Sequence, residues 1–179
     1  MIHDTPFQPE TTRLLEELKG SDPVQRESAR QALVRLGTPE VTVALVGELL
    51  DPRQQVRWEA AKALGSLADP VSASALLEAL DDNDEDVRWV AAEGLIALGR
   101  SGLLAALHGL TKHSRSNAFR RSAHHVLHEL LKRGEVPGVI APVLAALEEG
   151  DSAISAPPAA YHALLALKVG ATPFKGPAK

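Results

Sequence analysis

The chain reads as an all-α, right-handed solenoid of four helical pairs, closed at each end by a single capping helix. Three observations predict this. A nine-residue block recurs at a period of about 31 residues. The 45% of hydrophobic residues include only 3% aromatics, so the apolar content is mostly Ala, Leu and Val, the composition of close-packed helices rather than of a β-sandwich. Helix-start signals precede several of the predicted helices.

The clearest block is Val56-Arg57-Trp58-Glu59-Ala60-Ala61-Lys62-Ala63-Leu64, which returns as Val87-Arg88-Trp89-Val90-Ala91-Ala92-Glu93-Gly94-Leu95. One period earlier, Arg26, Ala29 and Leu33 keep the register; one period later, Arg120, Ala123 and Leu127 do. Shorter apolar segments at 41–50, 71–80, 103–110 and 139–147 supply the second helix of each pair. Asp22-Pro23, Thr38-Pro39, Asp51-Pro52 and Asp69-Pro70 each set a capping side chain before a proline at the first helical position, where its missing N–H costs nothing. Gly37, Gly65, Gly99 and Gly134 fall near helix ends, where glycine takes the left-handed conformation; Gly65 alternatively marks a close packing position, since Ser66-Leu67 continues the helical pattern. The expected organisation is one domain over 1–179. It has an N-terminal cap helix at about 10–19, repeats at about 22–50, 51–80, 81–111 and 114–147, a mobile connection at 148–157, a C-terminal cap helix at about 157–169, and a frayed tail at 170–179.

Zero cysteines exclude disulfides, thiolate zinc sites and a cysteine nucleophile. The opening residues lack a basic and then apolar leader, and no apolar run is long enough to span a bilayer, so a cytoplasmic protein without membrane contact is expected. The net charge of −4 is no signature of nucleic-acid binding. Charge is nonetheless polarised. Residues 78–93 hold seven acids against one Arg, and residues 112–133 hold six bases against one Glu.

The run Asp51-Pro52-x-x-x-Val56-Arg57-x-x-Ala60-Ala61-x-Ala63-Leu64-Gly65, echoed from Asp82-Asn83 to Leu95, resembles the HEAT-like repeat of phycobilisome lyases. The resemblance covers roughly residues 20–147 and implies four HEAT-like hairpins. It is compatible with bilin lyases, hydroxylases, chaperone-like factors and plain scaffolds. Deoxyhypusine hydroxylase, similar in its repeats, carries His-Glu pairs as iron ligands; the matching positions here are Glu27-Ser28, Trp58-Glu59, Trp89-Val90 and Arg121-Ser122, and none is His-Glu. Alkylpurine DNA glycosylases of HEAT-like build would need a basic groove.

Helical spacing assigns the repeated positions. Val56, Ala60, Leu64 and Leu67 form one apolar face, and the small Ala60 and Ala61 let neighbouring helices approach closely. Arg26, Arg57, Arg88 and Arg120, each one residue after the core position, form a structural ladder that bonds helix-end carbonyls or an Asp. His124 and His128 are one helical turn apart and are the only metal-type pair; with no third ligand at a recognisable spacing, structural histidines are the expected reading, with no metal and no cofactor. The acidic run 81–86 resembles a calcium loop but lacks the central Gly and the closing Glu, so a solvated turn is expected. The serines at 21, 101, 114 and 116 read as caps.

Trp58 and Trp89 occupy the same position of consecutive repeats, about 200° round the helix from the core Val. With Glu59, Lys62, Glu93, Arg121 and His125 they are expected to line an exposed strip, extended by Gln31 and Arg35, on a concave face that binds a protein or peptide. The expected function is a non-enzymatic scaffold, monomeric or weakly dimeric. A tetrapyrrole lyase or maturation subunit is the alternative, and a lesion-binding protein a further one.

Overall fold

The computed structural model describes residues 7–113 and 115–169. Ten α-helices and no strand occur among them: α1 Pro9–Leu18, α2 Pro23–Leu36, α3 Pro39–Glu48, α4 Gln54–Leu67, α5 Ala73–Glu78, α6 Glu85–Ala97, α7 Arg100–Lys112, α8 Asn117–Lys132, α9 Pro137–Glu148 and α10 Ser152–Val169. Helices α2, α4, α6 and α8 pack side by side in one layer. Behind them lie α3, α5, α7 and α9, while α1 packs on α2, and α10 packs on α7 and α9. The architecture is an α-solenoid.

Local chemistry explains most boundaries. The Asp22 carboxylate accepts from the Val24 amide at 2.9 Å, and the Thr38 hydroxyl accepts from Val41 at 3.3 Å. Asp84 and Ser116 cap α6 and α8 in the same way. Gly37 ends α2 at a φ of 57°. Two expected starts differ. Asp51-Pro52 does not open α4, because the Asp51 carboxylate is held by the backbone and guanidinium of Arg53, and the helix begins only at Gln54. Asp69-Pro70 opens a 3₁₀ turn, Pro70–Ser72, and α5 is a six-residue helix between that turn and a second one, Ala79–Asp81.

The C-terminal cap also departs from expectation. Most of the stretch 148–157 is helical, and α10 starts at Ser152, running through Pro157 and Pro158. Prolines usually start a helix rather than sit inside one. Here the first turn is anchored independently: the amides of Ile154 and Ser155 donate to the Asp151 carbonyl, and the Ser155 hydroxyl donates to the Ala146 carbonyl at 2.8 Å. Ala156 and Ala160 are fully buried beneath it. The tail expected to fray, 170–179, lies outside the described residues.

The core is a continuous seam of Leu and Ala, with Phe119 its bulkiest side chain. Small residues set how closely the layers approach. A Cβ on Gly65 would lie 3.0 Å from the Gly94 Cα, so α4 and α6 are pressed together at a glycine–glycine crossing. Gly65 is thus a packing position, and the left-handed end of α4 falls instead on Ala68, at a φ of 51°. Gly109 leaves room for the Phe119 ring, which an added Cβ would meet at 2.5 Å.

Three of the repeated arginines, Arg26, Arg57 and Arg88, stitch the turns between pairs. Arg57 Nη1 donates to the carbonyls of Asp51 and Pro52 at 3.0 and 3.2 Å, six and five residues before it. Arg88 and Arg26 repeat the pattern on Asp82 and Asn83, and on Gly20 and Ser21. Arg57 adds a two-point bond across to the next turn, from Nε and Nη2 to the Asp82 carboxylate at 2.7 and 2.8 Å, and a further bond to the Asn83 side chain. Burial pushes the Asp82 carboxyl upward, but the bonds from Arg57, the Asp84 amide and the charges of Arg57 and Arg88 outweigh it and hold it below its ordinary value. Asp51 is held lower, at about 2, chiefly by its bond to Arg53.

A carboxyl that ionises more readily in the folded chain stabilises it fully above its ordinary value, and that contribution fades as pH falls through the lower folded value. Asp82→Asn is therefore expected to lower stability at neutral pH by roughly 2 kcal/mol, the scale of a hydrogen bond to a charged group. In thermal melts from pH 7 to pH 2 the gap between variant and parent should close only below about pH 4.

Candidate functional site

The layer formed by α2, α4, α6 and α8 presents a face crossed by open clefts, and the tryptophans sit on it. Trp89 on α6 is 55% exposed, and its ring stacks on His125 of α8 with centroids 4.5 Å apart. His125 is also held by the Glu93 carboxylate, one turn along α6 from Trp89 and 2.9 Å from its Nε2. Trp89, His125 and Glu93 thus form one braced unit between neighbouring helices. Trp89 and His125 line a cleft of about 220 Å³ together with Glu85, Arg88, Ala118, Arg121 and Ser122.

Trp58, one repeat earlier, is half-buried against the core, and the Arg30 guanidinium of α2 lies 5.6 Å from its ring centroid. Arg30 is held in place by Glu59. That side chain was expected on the exposed strip, yet it is buried, with its two oxygens 3.2 Å from Arg30 Nε and 3.6 Å from Arg26 Nε. The reason is rotational. Glu59 follows Val56 by three residues, about 300° round the helix, which returns it to within ~60° of the core direction. Val90, three residues after Val87, is buried by the same geometry. Burial pushes the Glu59 carboxyl above its ordinary value against the pull of Arg30 and Arg26. The signal for Arg30 was present in the sequence: it lies four residues after Arg26, on the same helical face.

Lys62 and Arg121 are exposed on this face, as are Gln31 and Arg35. Lys62, Arg30, Gln31, Val34, Arg35 and Ser66 line a second cleft, of about 420 Å³, between α2 and α4. His124 and His128 are not gathered with further ligands. Their rings stack with centroids 5.9 Å apart, while His124 faces Glu148 at 3.4 Å and His128 faces Glu129 at 3.5 Å. Among the described residues, no group of three or more His, Cys, Asp or Glu side chains is placed to hold a metal ion, and no helix is long and apolar enough to cross a membrane.

The environments of the two rings differ enough to measure. In single-tryptophan proteins, acrylamide should quench Trp89 (in Trp58→Phe) more strongly than Trp58 (in Trp89→Phe). Trp58→Ala should cost about 2 kcal/mol in urea unfolding, roughly half the usual loss for a fully buried ring, and Trp89→Ala under about 1 kcal/mol.

A family model describing HEAT repeats matches the chain twice, over residues 11–96 and 73–161. The chain is similar to the solved structure of an engineered protein from a structural genomics consortium, at 18% identity over 88% of this chain and 78% of that one, with a TM-score of 0.44. No curated protein matches it. The repeats matched by the family model take in most of α1, all of α2 through α9 and about half of α10, and the chain belongs to the HEAT-repeat family.

Proposed function

We propose that the chain is a non-enzymatic scaffold that holds a protein or peptide segment against the concave face built by α2, α4, α6 and α8. The observation that carries this reading is Trp89: a large ring, mostly in water, braced by His125 and flanked by open clefts. Tryptophan concentrates binding energy at interfaces, and a ring already fixed in place loses little freedom on binding. The clefts are open rather than enclosed; that beside Trp89, at about 220 Å³, is smaller than the roughly 300–1,000 Å³ of enclosed small-molecule sites, and those of about 330 and 420 Å³ only reach its lower end. They suit side chains of a larger partner.

On this reading Trp58, Trp89, Lys62, Glu93, Arg121 and His125 contact the partner. Glu59 acts from beneath by fixing Arg30 over Trp58, and Arg26, Arg57, Arg88 and Arg120 hold the frame. No cofactor is required. The protein works in the cytoplasm as a monomer or weak homodimer, away from membrane and nucleic acid.

The resemblance to phycobilisome lyase repeats supports a second reading, a tetrapyrrole lyase or maturation subunit. The favouring observation is an exposed indole beside Arg88 and Arg121, groups that suit a flat ring bearing carboxylates. Absorption spectra separate the two: a shifted band on titration with haem or a bilin supports the second reading, and unchanged spectra the first.

The scaffold reading predicts that immobilised parent protein captures a partner from extracts of its native host, and that Trp89→Ala reduces capture about tenfold while the variant stays folded, melting no more than a few degrees lower. Equal capture by the variant would end the reading.

A further inference from the structure

The first-helix face is unevenly charged, and the unevenness bears on what it binds. Arg26 and Arg30 are committed to Glu59, Arg57 to Asp82, and Arg88 to turn carbonyls. Arg35, Lys62 and Arg121 are different: each is exposed on the face and, among the described residues, makes no ion pair. They fall into two groups. Arg35 and Lys62 line the cleft between α2 and α4, whose lining has three bases and no acid. Arg121 lines both the cleft beside Trp89, where two arginines face the single acid Glu85, and a neighbouring one of about 330 Å³ with Arg120, His124 and Asn117, whose lining has no acid. Trp89 lies between the groups.

We propose that the segment bound by this face is an acidic peptide. One cluster of its carboxylates meets Lys62 and Arg35, a second meets Arg121, and an apolar side chain between them lies on Trp89. This rests on the scaffold reading and names the partner's chemistry. The spacing follows from the fold. Lys62 on α4 and Arg121 on α8 are two helix-to-helix steps apart, roughly 16–20 Å at the usual 8–10 Å per step. An extended chain advances about 3.3 Å per residue, so about five or six residues join the two acidic clusters.

A nucleic acid fits less well. A duplex carries one negative charge per ~1.7 Å and cannot omit any. Glu93 lines the cleft between α4 and α6, and Glu85 shares the cleft of Arg121; a continuous run of phosphates would meet both. A peptide places carboxylates only where bases await them.

The test is fluorescence anisotropy of a labelled peptide carrying two glutamate pairs about five residues apart with a central leucine, titrated with the full chain at low salt. Lys62→Glu and Arg121→Glu should each weaken binding about fivefold, the equivalent of one exposed ion pair at ~1 kcal/mol. Lys168→Glu, on α10, should leave it within about twofold, and all three variants should melt like the parent. Equal binding of a peptide with lysine or glutamine in place of glutamate, still abolished by Trp89→Ala, would keep the scaffold and overturn its acidic preference. Tighter binding of a single-stranded oligonucleotide, lost in Arg121→Glu, would overturn the proposal in favour of nucleic acid. Absence of binding by the acidic peptide would overturn it outright, whatever the extract experiment shows.

Discussion

The Arg57 guanidinium reaches four groups in two different turns: the carbonyls of Asp51 and Pro52 before its own helix, and the side chains of Asp82 and Asn83 before the next. A solenoid has no long-range sheet to fix how one repeat sits on another, so each junction must set its own register. Here one planar fork does so. It satisfies turn carbonyls that would otherwise lack donors, and it ties the start of α4 to the turn that leads into α6. The positions of Trp58 and Trp89, on consecutive helices, follow from that tie and from the glycine crossing of Gly65 and Gly94.

The same charge chemistry serves two ends. Arg57 and Asp82 meet at 2.7–2.8 Å through two parallel bonds, the geometry in which an ion pair recovers its desolvation cost. Arg26, Arg30 and Glu59 meet more loosely, at 3.2–3.6 Å, with the carboxylate buried and its ionised form disfavoured. Such a cluster contributes less to stability. What it provides is placement: it fixes a guanidinium over the half-buried Trp58, whereas Trp89 is mostly exposed and stacks on His125.

Much of the fold was legible in the sequence because period and composition repeat. The Val-Arg-x-x-Ala-Ala signature located α4 and α6 directly, and recurrence pointed to the arginines at 26, 57 and 88 that bond the turn carbonyls. Legibility ended where a residue's role depends on a neighbour in space. Glu59 and Trp58 are adjacent in sequence, and only a residue-by-residue turn of the helix sends one inward and the other sideways. Arg30 gains its role from a ring on another helix. The prolines at 157 and 158 read locally as a helix start, but Ser155 and the buried Ala156 and Ala160 draw the helix about a turn and a half further back, and no local rule carries that. At Asp51, a carboxylate that reads as a cap was claimed by a nearer competitor, Arg53.

The contact between Gly65 and Gly94 has a mechanical consequence. At the crossing itself no side chain separates α4 from α6, backbone touches backbone, and there is no rotatable group at that point to yield under load. A coil spring with one welded turn bends elsewhere. In this molecule bending falls to the junctions of α2 with α4 and of α6 with α8, which are cushioned by side chains. The distance between the two indoles is then the stiffest dimension of the face, a fixed ruler, while the outer helices adjust to what is laid along it.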